Sequence, residues 1–190
     1  MQEKEKSFLL GLARETIEYG VQNNHKLPEI EIPKELELFR EKKGVFVTLK
    51  KDRKLRGCIG NILPVYPLFE AVIRNANSAA FEDPRFYPLT ESELKDIKIE
   101  ISILTIPEKI QFNGYEELKK LVRPNIDGVV LKYGFKSATY LPQVWEEVSN
   151  PDEFFFSLAM KAGLNPSVLY SPNIEIETYQ VESFSEEDFK

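Results

Sequence analysis

The chain has one cysteine and one histidine in 190 residues, and these scarcities remove whole classes of chemistry. A lone cysteine cannot close an internal disulfide, which fits a reducing compartment. The single histidine, His25, lies in the polar run Asn24-His25-Lys26, where an exposed loop residue is the default reading and a Cys–His catalytic pair is poorly supported. No Cys-x-x-Cys or histidine-rich spacing suggests a zinc or iron–sulfur site, so no metal is expected. No G-x-x-x-x-G-K-[ST] or G-x-G-x-x-G stretch offers a nucleotide cradle, and the sequence leaves the cofactor unassigned. No apolar run reaches the roughly 18 residues that span a bilayer, and Met1–Lys6 lacks the apolar segment of a secretory signal. Positive charge is in deficit, with a net charge of −6, which argues against a general nucleic-acid coat protein. The expectation is a soluble, cytoplasmic, acidic protein.

What is present is an ordinary globular pattern. Phe8, Leu9, Leu12, Ala13, Thr16 and Ile17 recur at helical spacing. Residues 20–34, with Asn23-Asn24, Pro28 and Pro33, read as a connecting loop. Gly44–Leu49 is rich in β-branched and aromatic residues, and the charged tip Lys51-Asp52-Arg53-Lys54 leads into Leu55–Gly60 as a hairpin. Pro67 opens a helix whose apolar face is Leu68, Phe69, Val72, Ile73, Ala76 and Ala80. Ile97–Leu104 alternates as a half-buried strand. The second half repeats the order: a helix near Tyr115–Val122, a hairpin of Gly128–Tyr133 and Lys136–Leu141, a helix over Pro151–Ala162, and a closing strand over 173–181. Hairpin, helix and strand thus occur twice, which suggests two pseudo-repeats. The expected class is α+β, a mixed, mostly antiparallel sheet flanked by helices.

The hexapeptide Leu55-Arg56-Gly57-Cys58-Ile59-Gly60 carries the most information. Gly57 and Gly60 permit close approaches that a Cβ would block. On a regular strand Arg56 and Cys58 share a face, where a guanidinium would favour the thiolate. Two readings stand: a small buried apolar residue, or an activated thiol. Glu100 is the candidate proton acceptor, on the polar face of its strand with Lys98 and Ser102; the alternative is a solvent-facing residue paired with lysine. In Asp83-Pro84-Arg85-Phe86, Asp83 can satisfy turn amides, while Arg85 suits either a bidentate anion contact or a structural ion pair. Ser102, Thr139 and Gln143 lie in strand-end motifs of the two halves, where hydroxyl and amide groups either line a cleft or settle a packing compromise. Lys50, Lys51, Arg53, Lys54 and Arg56 cluster along the hairpin, as a solvated turn or as a contact for RNA, phosphate or a partner. Phe154-Phe155-Phe156 is read as core.

Together, Leu55–Gly60, Ala79-Ala80-Phe81-Glu82-Asp83-Pro84-Arg85-Phe86, Ile101–Thr105, Arg123–Gly128 and Thr139–Val144 resemble the AMMECR domain family, from about Gly44 to Leu164 and more weakly at the ends. The resemblance implies a single domain over residues 1–190 with a larger and a smaller lobe, in a stand-alone prokaryotic form. It also implies a genomic setting beside a Memo-like protein and a radical S-adenosylmethionine protein, and hence those two as partners. Family members commonly have glycine where this chain has Asn125, and asparagine also tolerates left-handed torsions. The family supplies no settled reaction. Two functional readings follow. One is an enzyme or enzyme component of a modification pathway, with Cys58, Arg56 and Glu100 as catalytic residues and Gly57, Gly60, Asp83, Arg85, Ser102, Thr139 and Gln143 as binding residues. The other is a non-catalytic module that binds a partner protein or RNA.

Overall fold

The β-branched run at 44–49 forms β1 (Gly44–Lys51), and the chain reverses through Asp52 and Arg53 into β2 (Lys54–Asn61). Both turn residues are left-handed, with φ of 51° and 62°, the torsions that a two-residue hairpin matched to strand twist demands. The computed structural model describes residues 1–29 and 37–189. It divides into two compact units, Met1–Ile106 with Glu182–Lys190, and Pro107–Val181.

In the first unit, α1 (Glu3–Gln22) and α2 (Leu68–Phe81) pack on a sheet completed by β3 (Ile97–Leu104) and β8 (Val181–Ser185), in the order β2-β1-β3-β8. Strand alternation sends Val45, Val47 and Leu49 of β1 and Ile97, Ile99 and Ile101 of β3 into the core beneath the helices, where all are fully buried. Phe46, Thr48 and Lys50 of β1, and Lys98, Glu100 and Ser102 of β3, are therefore left on the opposite face. The first helix outlasts the sequence expectation, running to Gln22. Of the loop read over 20–34, the part from 30 onward, including Pro33, lies outside the described residues.

The second unit holds a sheet of β4 (Glu108–Lys109), β5 (Gly128–Tyr133), β6 (Lys136–Tyr140) and β7 (Glu175–Tyr179), ordered β4-β7-β5-β6. It is covered by α3 (Tyr115–Leu121), the short α4 (Val144–Glu147) and α5 (Pro151–Lys161). Trp145 stacks on Phe154 at 3.6 Å between ring centroids, and Phe154 and Phe155 are fully buried, while Phe156 is only partly so. Asn125 adopts φ of 63°, the torsion for which asparagine substitutes for glycine. Asn150 caps α5 by accepting hydrogen bonds from the Asp152 and Glu153 amides, with Pro151 at the first helical position.

The class is α+β, built on two antiparallel sheets. In each, the first hairpin strand is central, the second is an edge, and the next strand flanks the first: β2-β1-β3 in one and β6-β5-β7 in the other. This is the doubled hairpin–helix–strand order legible in the sequence. The closing strand also departs from expectation. The closing strand read over 173–181 is two strands, β7 in the second sheet and β8 in the first, separated at Gln180.

Candidate functional site

Cys58 lies on β2, an edge strand, and its placement depends on a register shift. Counting back from the Lys51–Lys54 pair would set Thr48 opposite Gly57. A β-bulge between Leu49 and Lys50 instead pairs Leu49 with Gly57 and Lys50 with Leu55, leaving Arg56 as the extra residue. Thr48 is thereby opposite Cys58 on one side and opposite Glu100 on the other, forming a polar row across three strands on the face away from the helices. The hydroxyl of the buried Thr48 donates to Cys58 Sγ at 3.2 Å. The flanking glycines are packing positions. A Cβ on Gly57 would lie 2.1 Å from the Ala79 carbonyl oxygen of α2, and one on Gly60 would lie 2.3 Å from the Phe46 ring.

The Cys58 N–H and C=O point outward from the sheet edge, away from β1. The segment just after α2 takes both. Cys58 N–H donates to Asp83 Oδ2 at 2.8 Å, and Arg85 Nη2 donates to the Cys58 carbonyl at 3.1 Å. Arg85 closes the clamp on Asp83 through Nε to Oδ1 at 2.9 Å and Nη2 to Oδ2 at 2.7 Å. The Asp83 side chain is 2% exposed, that of Arg85 53%. The hydrogen bond from Arg85, helped by the Cys58 and Arg85 amides, outweighs burial and holds the Asp83 carboxyl at about 2. The Arg85 guanidinium is held more firmly charged than usual, first by its hydrogen bond to Asp83, against the burial that opposes it.

Arg56, expected beside the thiol on a regular strand, is turned by the bulge to other partners. Its Nε and Nη2 donate to the two oxygens of Glu93 at 2.9 and 3.1 Å, and Nη2 also reaches the Tyr87 carbonyl at 3.0 Å. The Arg56 bond draws the Glu93 carboxyl down to about 2, against the burial that opposes it. Both Arg56 and Arg85 approach the Phe86 ring, at 5.8 and 5.6 Å from its centroid. The two sequence motifs are therefore one interlocked structure at the edge of β2. Because Asp83 and Glu93 titrate lower folded than unfolded, their contribution to stability is complete above the ordinary carboxylate range. It is lost as the pH falls from about 4.5 towards 2.

The other expected site residues fall as follows. Glu100 is bound by Lys50 at 2.7 Å, and Ser102 shares a 2.8 Å hydrogen bond with Ser183 of β8. Lys51 leans on Glu93 at 3.4 Å, so of the basic hairpin cluster only Arg53 and Lys54 at the tip lack an acidic partner among the described residues. Thr139 and Gln143 belong to the second unit. The Thr139 hydroxyl bonds the Val129 carbonyl at 2.9 Å and the Tyr179 hydroxyl at 2.7 Å, and Gln143 precedes α4. His25 stacks on Phe81 at 4.2 Å. Sequence reasoning missed Thr48 and Glu93. The period-2 pattern marks Thr48 as outward-facing, but without the bulge it does not bring it to Cys58.

A family model, AMMECR1, matches residues 10–184 of the chain. A protein of Methanothermobacter thermautotrophicus is 40% identical over 182 residues, covering 94% of this chain and 93% of its own. One from Thermococcus onnurineus is 42% identical over 191 residues, covering 95% and 89%. The crystal structure of an uncharacterized protein from Pyrococcus horikoshii superposes with a TM-score of 0.90 at 36% identity, over 98% of this chain and 94% of that one.

Proposed function

The chain belongs to the AMMECR1 family, and on that premise we propose that it is an enzyme or enzyme component of a modification pathway in which Cys58 acts as a thiolate. The supporting observation is the hydrogen bond that Thr48 Oγ1 donates to Sγ, since a donor on sulfur favours the ionised form. The Asp83–Arg85 clamp on both backbone groups of Cys58 adds to it by fixing the residue at an otherwise open sheet edge. Arg85, which donates to the Cys58 carbonyl and remains half exposed, takes the activating role that the sequence assigned to Arg56. Glu100 acts in this scheme only after release from Lys50. The Memo-like and radical S-adenosylmethionine proteins implied by the family resemblance are the natural partners for such a component.

A second reading, the binding module for a partner protein or RNA, draws on Arg53 and Lys54 at the hairpin tip, which have no acidic partner among the described residues. Complementation of a strain deleted for its own homologue separates the two. On the thiol reading, Cys58→Ser and Cys58→Ala both lose complementation while melting within a few degrees of the parent. Full complementation by Cys58→Ala would contradict the thiol reading and leave the module.

A further inference from the structure

The second unit carries a cavity of about 520 Å³, between the segment 109–114 that continues β4 and the segment 169–175 that leads into β7. That volume falls in the range of small-molecule sites. Cys58 and its clamp do not line it.

The cavity offers an aromatic platform. Tyr170 is 64% exposed, yet its ring is braced edge-on by the buried Tyr115 at 5.3 Å, and Tyr115 is itself packed against Phe155 and Phe156. An exposed ring backed by a rigid aromatic cluster loses little freedom when a flat ligand stacks on it. Phe112 contributes a second ring to the lining. Two carboxamides, Gln111 and Asn173, both exposed, also line it, and carboxamides match the paired donor and acceptor on the edge of a heteroaromatic base. Lys109 and Glu175 are ion-paired at 3.0 Å, each about half exposed. The pair leaves the cavity without excess charge of either sign, while the carboxylate can still accept from vicinal hydroxyls.

We propose that this cavity is a binding site for a ribonucleoside, the base stacked on Tyr170, its edge read by Gln111 and Asn173, and its ribose diol held by Glu175. Charge balance favours the neutral nucleoside over a polyphosphate, which would need unpaired cations.

Adenosine titrated into the full chain, followed by calorimetry or amide chemical shifts, tests the site. The expected result is saturable binding that Tyr170→Ala weakens by about tenfold or more, the loss of one base–aromatic stack. Glu175→Gln should weaken adenosine more than 2′-deoxyadenosine, because only the former presents the diol. A melting curve for each variant shows that the fold is kept. Absence of saturable adenosine binding up to its solubility limit would overturn the proposal. So would binding that Tyr170→Ala leaves unchanged.

Discussion

Gly57→Ala is expected to cost about 3 kcal/mol of stability or more, at the upper end of overpacking penalties. The added Cβ, whose position the backbone fixes, would stand 2.1 Å from the Ala79 carbonyl oxygen, itself a backbone atom, so no side chain can rotate away. Relief requires α2 to lift from β2, which also drags the Asp83–Arg85 clamp off Cys58. Gly11→Ala is the matched control, since a Cβ there meets nothing within 4 Å and the position lies inside α1. It should be neutral or stabilising by up to about 1 kcal/mol. Urea midpoints of the two variants, compared with the parent, read the difference directly. Equal midpoints for Gly57→Ala and the parent would mean that helix and strand are not so closely apposed.

Asp83→Asn is expected to lose about 2 kcal/mol at pH 7, the linkage value of a carboxyl held near 2 instead of its ordinary 3.8. The loss should shrink as the pH falls through 4 and be mostly gone near pH 2, where the parent carboxyl is itself half protonated. The sign follows from the depressed folded value, which confines the contribution to the higher pH. A destabilisation that stays constant from pH 7 to pH 2 would assign the effect to packing rather than to charge. The same variant should make the Cys58 thiol more accessible to alkylation, because the edge of β2 loses the group that holds its amide.

Much of this architecture is written in local pattern. The alternation of Ile97, Ile99 and Ile101 against Lys98 and Glu100 fixes both the strand and its buried face, and the run Gly44–Leu49 with its charged tip fixes the hairpin. The split of the last strand is not so written. Ile174, Ile176 and Thr178 alternate without interruption up to Gln180, and what divides β7 from β8 is the strand each pairs with, far away in sequence. The candidate site is legible in its residues, and its contacts are not. Leu55–Gly60 and Asp83–Phe86 both stand out in the sequence, but one bulge residue decides which groups meet. It turns Arg56 to Glu93, brings Thr48 to Cys58, and leaves Arg85 as the cation beside the thiol's backbone. The bulge is hidden from hydrophobic periodicity, because Leu55, Gly57 and Ile59 alternate as on a regular strand, although Leu55, opposite Lys50, falls on the outer face and is exposed.

The most direct test of a poised thiolate at Cys58 is the rate of its alkylation as a function of pH, read by intact mass because the chain has a single cysteine. The account predicts a midpoint below about 8.5, the value of an unperturbed thiol, and a shift upward in Thr48→Val, which removes the hydroxyl donated to Sγ. A parent midpoint at or above about 8.5, unmoved by Thr48→Val, would contradict it.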